Sequence, residues 1–136
     1  HGPMPSDMTR PDGEAAVARA LAWLTARAAD SLEPSLGALW AGGGKAAAFN
    51  LMTFSQAIGT PLQPDLAGHV LMVEEVSEHM YRIDRSLMHV TENRALRRLA
   101  GLKLGRCSAI PENDPPFVLD EEQVVRHWCA VSGIPY

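Results

Sequence analysis

Between His69 and Val90 the chain passes from a continuous apolar run to a helical stripe, and the change falls on two carboxylates. Val70-Leu71-Met72-Val73 ends on Glu74 and Glu75. A short apolar run between turn signals predicts a strand with both faces covered. Alternation along that strand puts Glu74 on the face of Val70 and Met72, and Glu75 on the other. One carboxylate should then face inward or into a crevice, where it needs a partner; two solvated turn residues are the alternative. Ligands in open α/β sheets sit outside the carboxyl ends of the strands, which is where Glu74 falls. Past a polar turn, Met80, Ile83, Leu87 and Val90 predict the buried stripe of a helix, with Arg82, Arg85 and His89 on another face. Glu78 and Arg82 are spaced for an i,i+4 pair.

The same patterning covers the rest of the chain. Residues 1–12, rich in Pro and Met, read as a linker or arm. Gly13 to Asp30 predicts a helix through Val17, Leu21, Leu24 and Ala28, with Asp12 as N-cap and Trp23 in core or interface packing. Ser31 to Gly44 is mostly loop, with a short strand at 38–40. Its Gly42-Gly43-Gly44-Lys45 run lacks the Ser or Thr that a phosphate-binding loop needs. Residues 45–49 read as extended. Asn50 then caps a helix that buries Leu51, Phe54 and Ile58 and ends at Gly59. A short helix at 94–99 precedes a strand near 102–106. A final helix, 118–132, has Asp120 as N-cap and Gly133 past its end, and it should pack through Val124, Trp128 and Val131. Strands near 38–40, 45–49, 69–75 and 102–106 alternating with helices predict an α/β fold: a small, mostly parallel or mixed sheet flanked by helices.

With 136 residues, 46% of them apolar, the chain can build one domain with a real core. A net charge of −4 without a basic cluster argues against nucleic acid as the main partner. No apolar run approaches the ~20 residues of a membrane helix, so no membrane partner is expected. Residues 1–10 hold no signal-peptide core. Cys107 and Cys129 form no CxxC and read as reduced thiols. Cytoplasm is therefore the expected location. No serine sits in a G-x-S-x-G elbow. The five histidines show neither HExxH nor zinc-finger spacing. No metal site and no cofactor follow from these residues.

The apolar run, Glu74-Glu75-Val76, Ser77-Glu78, two residues and Tyr81-Arg82-Ile83-Asp84-Arg85 together resemble the signature of the LD-carboxypeptidase family. These are serine peptidases that trim murein peptides, with the microcin C self-immunity peptidases as relatives. The family pattern is Leu-Glu-Asp-Val-Gly-Glu, so Glu75 and Ser77 depart from it. Asn50-Leu51 and Gly59-Thr60 resemble the family's Gly-Gly-Asn-Leu…Gly-Thr element, with Ala48 and Phe49 in place of the glycines. Gly101 to Arg106 resembles its Ala-Gly-Ile-x-Leu-Gly strand, and His1-Gly2-Pro3-Met4 its interdomain junction.

The resemblance implies the C-terminal, swivelling domain of a two-domain enzyme: 1–12 as interdomain linker, 13–136 as the domain. The nucleophilic Ser belongs to a missing N-terminal domain. The His follows Gly133-Ile134-Pro135 in a Gly-His pair, just past Tyr136. Glu74 matches the acid of the Ser-His-Glu triad. The implied reaction releases the terminal D-alanine of murein tetrapeptides in cell-wall recycling, without metal or organic cofactor. Alternatives are hydrolysis of aminoacyl nucleotides, as in the immunity peptidases, and a non-catalytic dimerisation or interaction module. The chain alone is expected to be inactive. A domain parted from its neighbour exposes apolar surface, so a homodimer through the Gly13–Asp30 helix is also expected.

Overall fold

The apolar run at 70–73 becomes the middle strand of a three-stranded sheet. The computed structural model describes residues 8–26 and 44–136, and the chain divides into two units, His1–Lys45 and Ala46–Tyr136.

In the first unit the described element is helix α1 (Gly13–Ala26). The Gly13 N–H donates to the Arg10 carbonyl and the Ala16 N–H to that of Asp12, which starts the helix where the sequence placed its cap. The expected buried stripe is not found: Leu21 is 54% exposed and Leu24 67%. Alanines spread round every face of α1, so the helix forms from propensity and the leucine spacing does not define a buried side. Ala28, the loop 31–43 with its short strand at 38–40, and the glycines Gly42 and Gly43 lie outside the described residues.

In the second unit, β1 (Lys45–Asn50), β2 (His69–Val76) and β3 (Gly101–Ser108) lie in the order β1-β2-β3. β2 and β3 are parallel, with Val70 opposite Gly101 and Val73 opposite Leu104. Parallel neighbours need long crossovers, and both are helical. Helix α2 (Leu51–Ala57) joins β1 to β2; α3 (Met80–Glu92) and a 3-10 turn (Leu96–Arg98) join β2 to β3. Helix α4 (Glu121–Ser132) follows β3.

Every residue of the two predicted central stripes is buried: Leu51, Phe54 and Ile58 around α2, and Met80, Ile83, Leu87 and Val90 on α3. With Leu71 and Val73 of β2 and Val124, Val125 and Cys129 of α4 they form one core. Phe49, for which the resemblance implied glycine, is half-buried and stacks on Phe54 with centroids 4.7 Å apart. The added ring thus fills core space, and the corner gains contact area in exchange for a close backbone approach. α4 begins with a full capping box between Asp120 and Gln123, and it ends on Gly133 in the left-handed region at φ 75°. Val131, expected to pack, is 56% exposed. The buried face centres on Val124, Val125 and Cys129, and at 100° per residue Val131 stands about a quarter-turn from it. Trp128 lies nearer that centre and donates its indole N–H to Asp84 of α3 at 2.7 Å.

Candidate functional site

The two carboxylates at the end of β2 have opposite fates. Glu75 shares a face with Leu71 and Val73 and is 4% exposed, whereas Glu74, on the face of Val70 and Met72, is half-buried. The inward-facing carboxylate is therefore Glu75, and the pair is not a solvated turn. Burial of a carboxylate is costly unless its lone pairs are occupied, and here three N–H groups occupy them. Oε1 accepts from Asn50 Nδ2 at 2.8 Å and from the Val76 backbone N–H at 2.9 Å; Oε2 accepts from the Met52 N–H at 2.9 Å. Asn50 works at both ends of its amide. While Nδ2 binds Glu75, Oδ1 accepts from the Thr53 N–H and hydroxyl, each at 3.0 Å, and caps α2. The sequence showed the cap; the bond across to β2 was hidden, because nothing local in the sequence pairs residues 50 and 75.

Glu74 faces an irregularity in the next strand. Val73 pairs with Leu104 and Glu75 with Cys107, so one residue of β2, Glu74, spans the two positions Gly105 and Arg106 of β3. Such a bulge bends the strand and re-aims side chains, and bulges gather beside active sites. Gly105 is closely enclosed there: a Cβ would stand 3.2 Å from the Val73 carbonyl oxygen, a tight contact, and 3.5 Å from the Glu74 Cβ. Two residues on, Ser77 leaves the strand at φ 62°, in the left-handed region. That conformation costs a non-glycine residue roughly 1–2 kcal/mol, and the glycine that the resemblance implied here would adopt it without that cost. The Ser77 N–H donates to the Ser108 carbonyl at 2.9 Å, which holds the turn against the end of β3.

The remaining candidates are structural. Burial foremost, then the charges of Glu121 and Glu75, push the Cys107 thiol up to about 11. A thiol so protonated is no nucleophile at neutral pH. The His69 ring lies 3.2 Å from the Ala67 carbonyl. His79 sits at the N-cap of α3 and stacks on Tyr81, whose other contact is the Arg85 guanidinium at 5.0 Å. Arg82 pairs with Glu78 at 3.2 Å as its spacing predicted. His89 is exposed on α3, and His127 sits edge-on to Trp128. Among the described residues no three His, Cys, Asp or Glu side chains group as a metal site. No described helix is long and apolar enough to cross a membrane. The arrangement can present one carboxylate, Glu74, at the carboxyl end of the central strand; acid chemistry alone does not make a nucleophile.

Comparison with known proteins places this geometry. Residues 43–136 match the family description "LD-carboxypeptidase C-terminal domain". A Synechocystis sp. protein that carries a carboxypeptidase name is 35% identical over 96 residues, which are 66% of this chain and 32% of that protein. The crystal structure of a muramoyltetrapeptide carboxypeptidase from Oxalobacter formigenes superposes with a TM-score of 0.60 at 30% identity, covering 68% of this chain and 32% of that one. The microcin C7 self immunity protein MccF shares the fold, with a TM-score of 0.56 at 18% identity over 68% of this chain and 27% of its own. The chain thus spans about a third of the length of these relatives. The three-stranded parallel α/β unit, the Tyr-Arg-Ile-Asp-Arg helix start and the paired carboxylates agree with that match, and the chain belongs to the LD-carboxypeptidase family, of which it carries the C-terminal domain.

Proposed function

We propose that the protein containing this domain is a serine LD-carboxypeptidase that releases the terminal D-alanine of murein tetrapeptides, and that Glu74 is the acid of its Ser-His-Glu triad. The observation that carries the reading is the position of Glu74: at the carboxyl end of β2, opposite the bulge at Gly105 and Arg106, beside a Glu75 whose oxygens are already engaged. The 30% identity to the Oxalobacter formigenes muramoyltetrapeptide carboxypeptidase favours the murein substrate over an aminoacyl nucleotide.

In this scheme a Ser from another domain attacks the carbonyl carbon and a His takes its proton. Glu74 accepts the second imidazole N–H, selects the tautomer and stabilises the imidazolium. One further contact supports the scheme. The Leu102 N–H donates to the Pro135 carbonyl at 2.8 Å, so the segment after α4 begins beside the start of β3. A parallel continuation from there, the usual outcome of a strand–helix–strand crossover, runs toward Gly105 and the end where Glu74 stands.

Glu74→Gln in the intact protein tests this. An amide can donate to the imidazole and hold the wrong tautomer, and it removes the charge that stabilises imidazolium. The expected loss of D-alanine release is on the order of 10²-fold, roughly 2.7 kcal/mol of barrier, with the thermal melt unchanged. Wild-type turnover by the variant rejects the triad role. Faster turnover of an aminoacyl nucleotide than of the tetrapeptide rejects the substrate.

A further inference from the structure

Two carboxylates stand side by side at the end of β2, and only one can serve an imidazole. We infer that Glu75 is a positioning residue: its buried carboxylate clamps the end of β2 to the start of α2 and so sets the orientation from which Glu74 acts. The inference rests on the reading of Glu74 given above.

The clamp joins three backbone segments through one side chain. Oε2 takes the Met52 N–H from the first turn of α2. Oε1 takes the Asn50 amide from the end of β1 and the Val76 N–H from the strand's own exit. All three donors are neutral, and together they compensate a negative charge in a site that is 4% exposed. Two consequences follow. A carboxylate that accepts three N–H groups in a site 4% exposed is turned into the core, so it does not compete with Glu74 for a catalytic imidazole. And the strand is most in need of fixing here, because the regular ladder is interrupted between Val73 and Glu75. Without regular pairing on the β3 side, the torsions of Glu74 depend on its neighbours: Gly105, where an added Cβ would come within 3.5 Å of the Glu74 Cβ, on one side, and the anchored Glu75 on the other. Catalysis by an oriented acid is sensitive to displacement, an ångström costing on the order of 10²-fold.

Glu75→Gln breaks the clamp chemically while keeping its size. The amide nitrogen must face one of the three N–H donors, so a donor meets a donor. Glu75→Asp keeps the charge and both acceptor oxygens on an arm one methylene shorter. Both variants are made in the intact protein, with two readouts. The first is amide hydrogen exchange. Protection should fall at Met52, Thr53 and Val76 in Glu75→Gln and stay unchanged at Leu71 and Leu102; unchanged protection at Met52 and Val76 overturns the clamp. The second is tetrapeptide hydrolysis well below each variant's melting temperature. The expected result for Glu75→Gln is kcat down ~10-fold or more with KM within about 2-fold of wild type, since an acid that acts on the transition state leaves ground-state binding alone. Glu75→Asp should recover part of that kcat. A lowered melting temperature with wild-type kcat in both variants makes Glu75 structural only and overturns the inference, while loss of turnover in Glu74→Gln leaves the triad standing. Wild-type kcat in both Glu74→Gln and Glu75→Gln removes the triad and the positioning role together. If Glu75→Gln does not fold, Glu75→Asp decides: loss of Met52 protection at full kcat overturns the inference.

Discussion

At the scale of single residues, what separates Glu74 from Glu75 is one step along a strand. Strand parity alone tells that the two face opposite ways, and that much was legible in the sequence. Which face would be the buried one was not, because it depends on the side from which α2 and α3 cover the sheet. Leu71 and Val73 turn out to be the covered pair, and Glu75 goes with them. The sequence also could not show how closely Gly105 is enclosed, since the enclosing group is a carbonyl on another strand. The same corner yields a prediction about Cys107, which lies opposite Glu75 on β3. Burial and then the charges of Glu121, Glu75 and Glu74 raise its pKa from 9.0 to about 11. The thiolate is the reactive form, so alkylation at pH 8 should be on the order of 10²-fold slower than at an unperturbed thiol. The rate should keep rising with pH beyond 9 and level off only near 11. The sign is that of a raised pKa: the folded protein holds this proton where the unfolded chain has lost it. Cys107 accordingly contributes stability below pH 9 that is lost as the pH climbs toward 11. Alkylation of Cys107 as fast as an unfolded control at pH 8, with Cys129 replaced by Ala, contradicts the assignment.

At the scale of elements, periodicity carried most of the fold. The stripes of α2 and α3, the N-cap of α4 and the spans of β1 to β3 were all readable, because each is fixed by local spacing or by a cap. The departures, Leu21, Leu24 and Val131, are positions where apolar spacing was right and the facing surface was not. Asp84 is the complementary example. In the Tyr-Arg-Ile-Asp-Arg motif nothing local gives it a partner, yet its Oδ1 accepts the Trp128 indole N–H and ties α3 to α4. Only tertiary structure joins residues so distant in the chain. A hydrogen bond to a charged group is worth about 1.5–3 kcal/mol. Asp84→Ala should therefore destabilise the domain by about that amount in urea denaturation, and Trp128→Phe should do so through lost contact area as well. The two losses should not add: a double-mutant cycle should return a coupling of about 1 kcal/mol or more. Simple additivity means that the bond contributes nothing, and Asp84 is then open to another role.

At the scale of the whole molecule, the chain covers 32% of the length of the Oxalobacter formigenes enzyme, and the proposed triad needs a Ser and a His besides Glu74. A serine triad needs a hydroxyl made nucleophilic by an adjacent imidazole, with a carboxylate to orient that imidazole. Among the described serines none stands in a strand-turn-helix elbow. The serine nearest the site in sequence, Ser77, is spent on a left-handed turn that ends β2. Under the proposed reading Glu74 orients an imidazole of the intact protein, and the carboxylate by itself supplies no nucleophile. The 136-residue chain by itself should therefore show no D-alanine release above buffer on a murein tetrapeptide, although its core and caps are complete enough for a cooperative melt. The measurement needs both halves. A far-ultraviolet melt establishes that the chain is folded, and D-alanine is then assayed over hours at high protein concentration. Sedimentation of the same sample tells whether the apolar residues exposed on α1, Leu21 and Leu24, draw two copies together. Release above buffer by a folded sample, abolished by Glu74→Gln, would mean that the chain supplies its own nucleophile and that the division of the triad between domains is wrong.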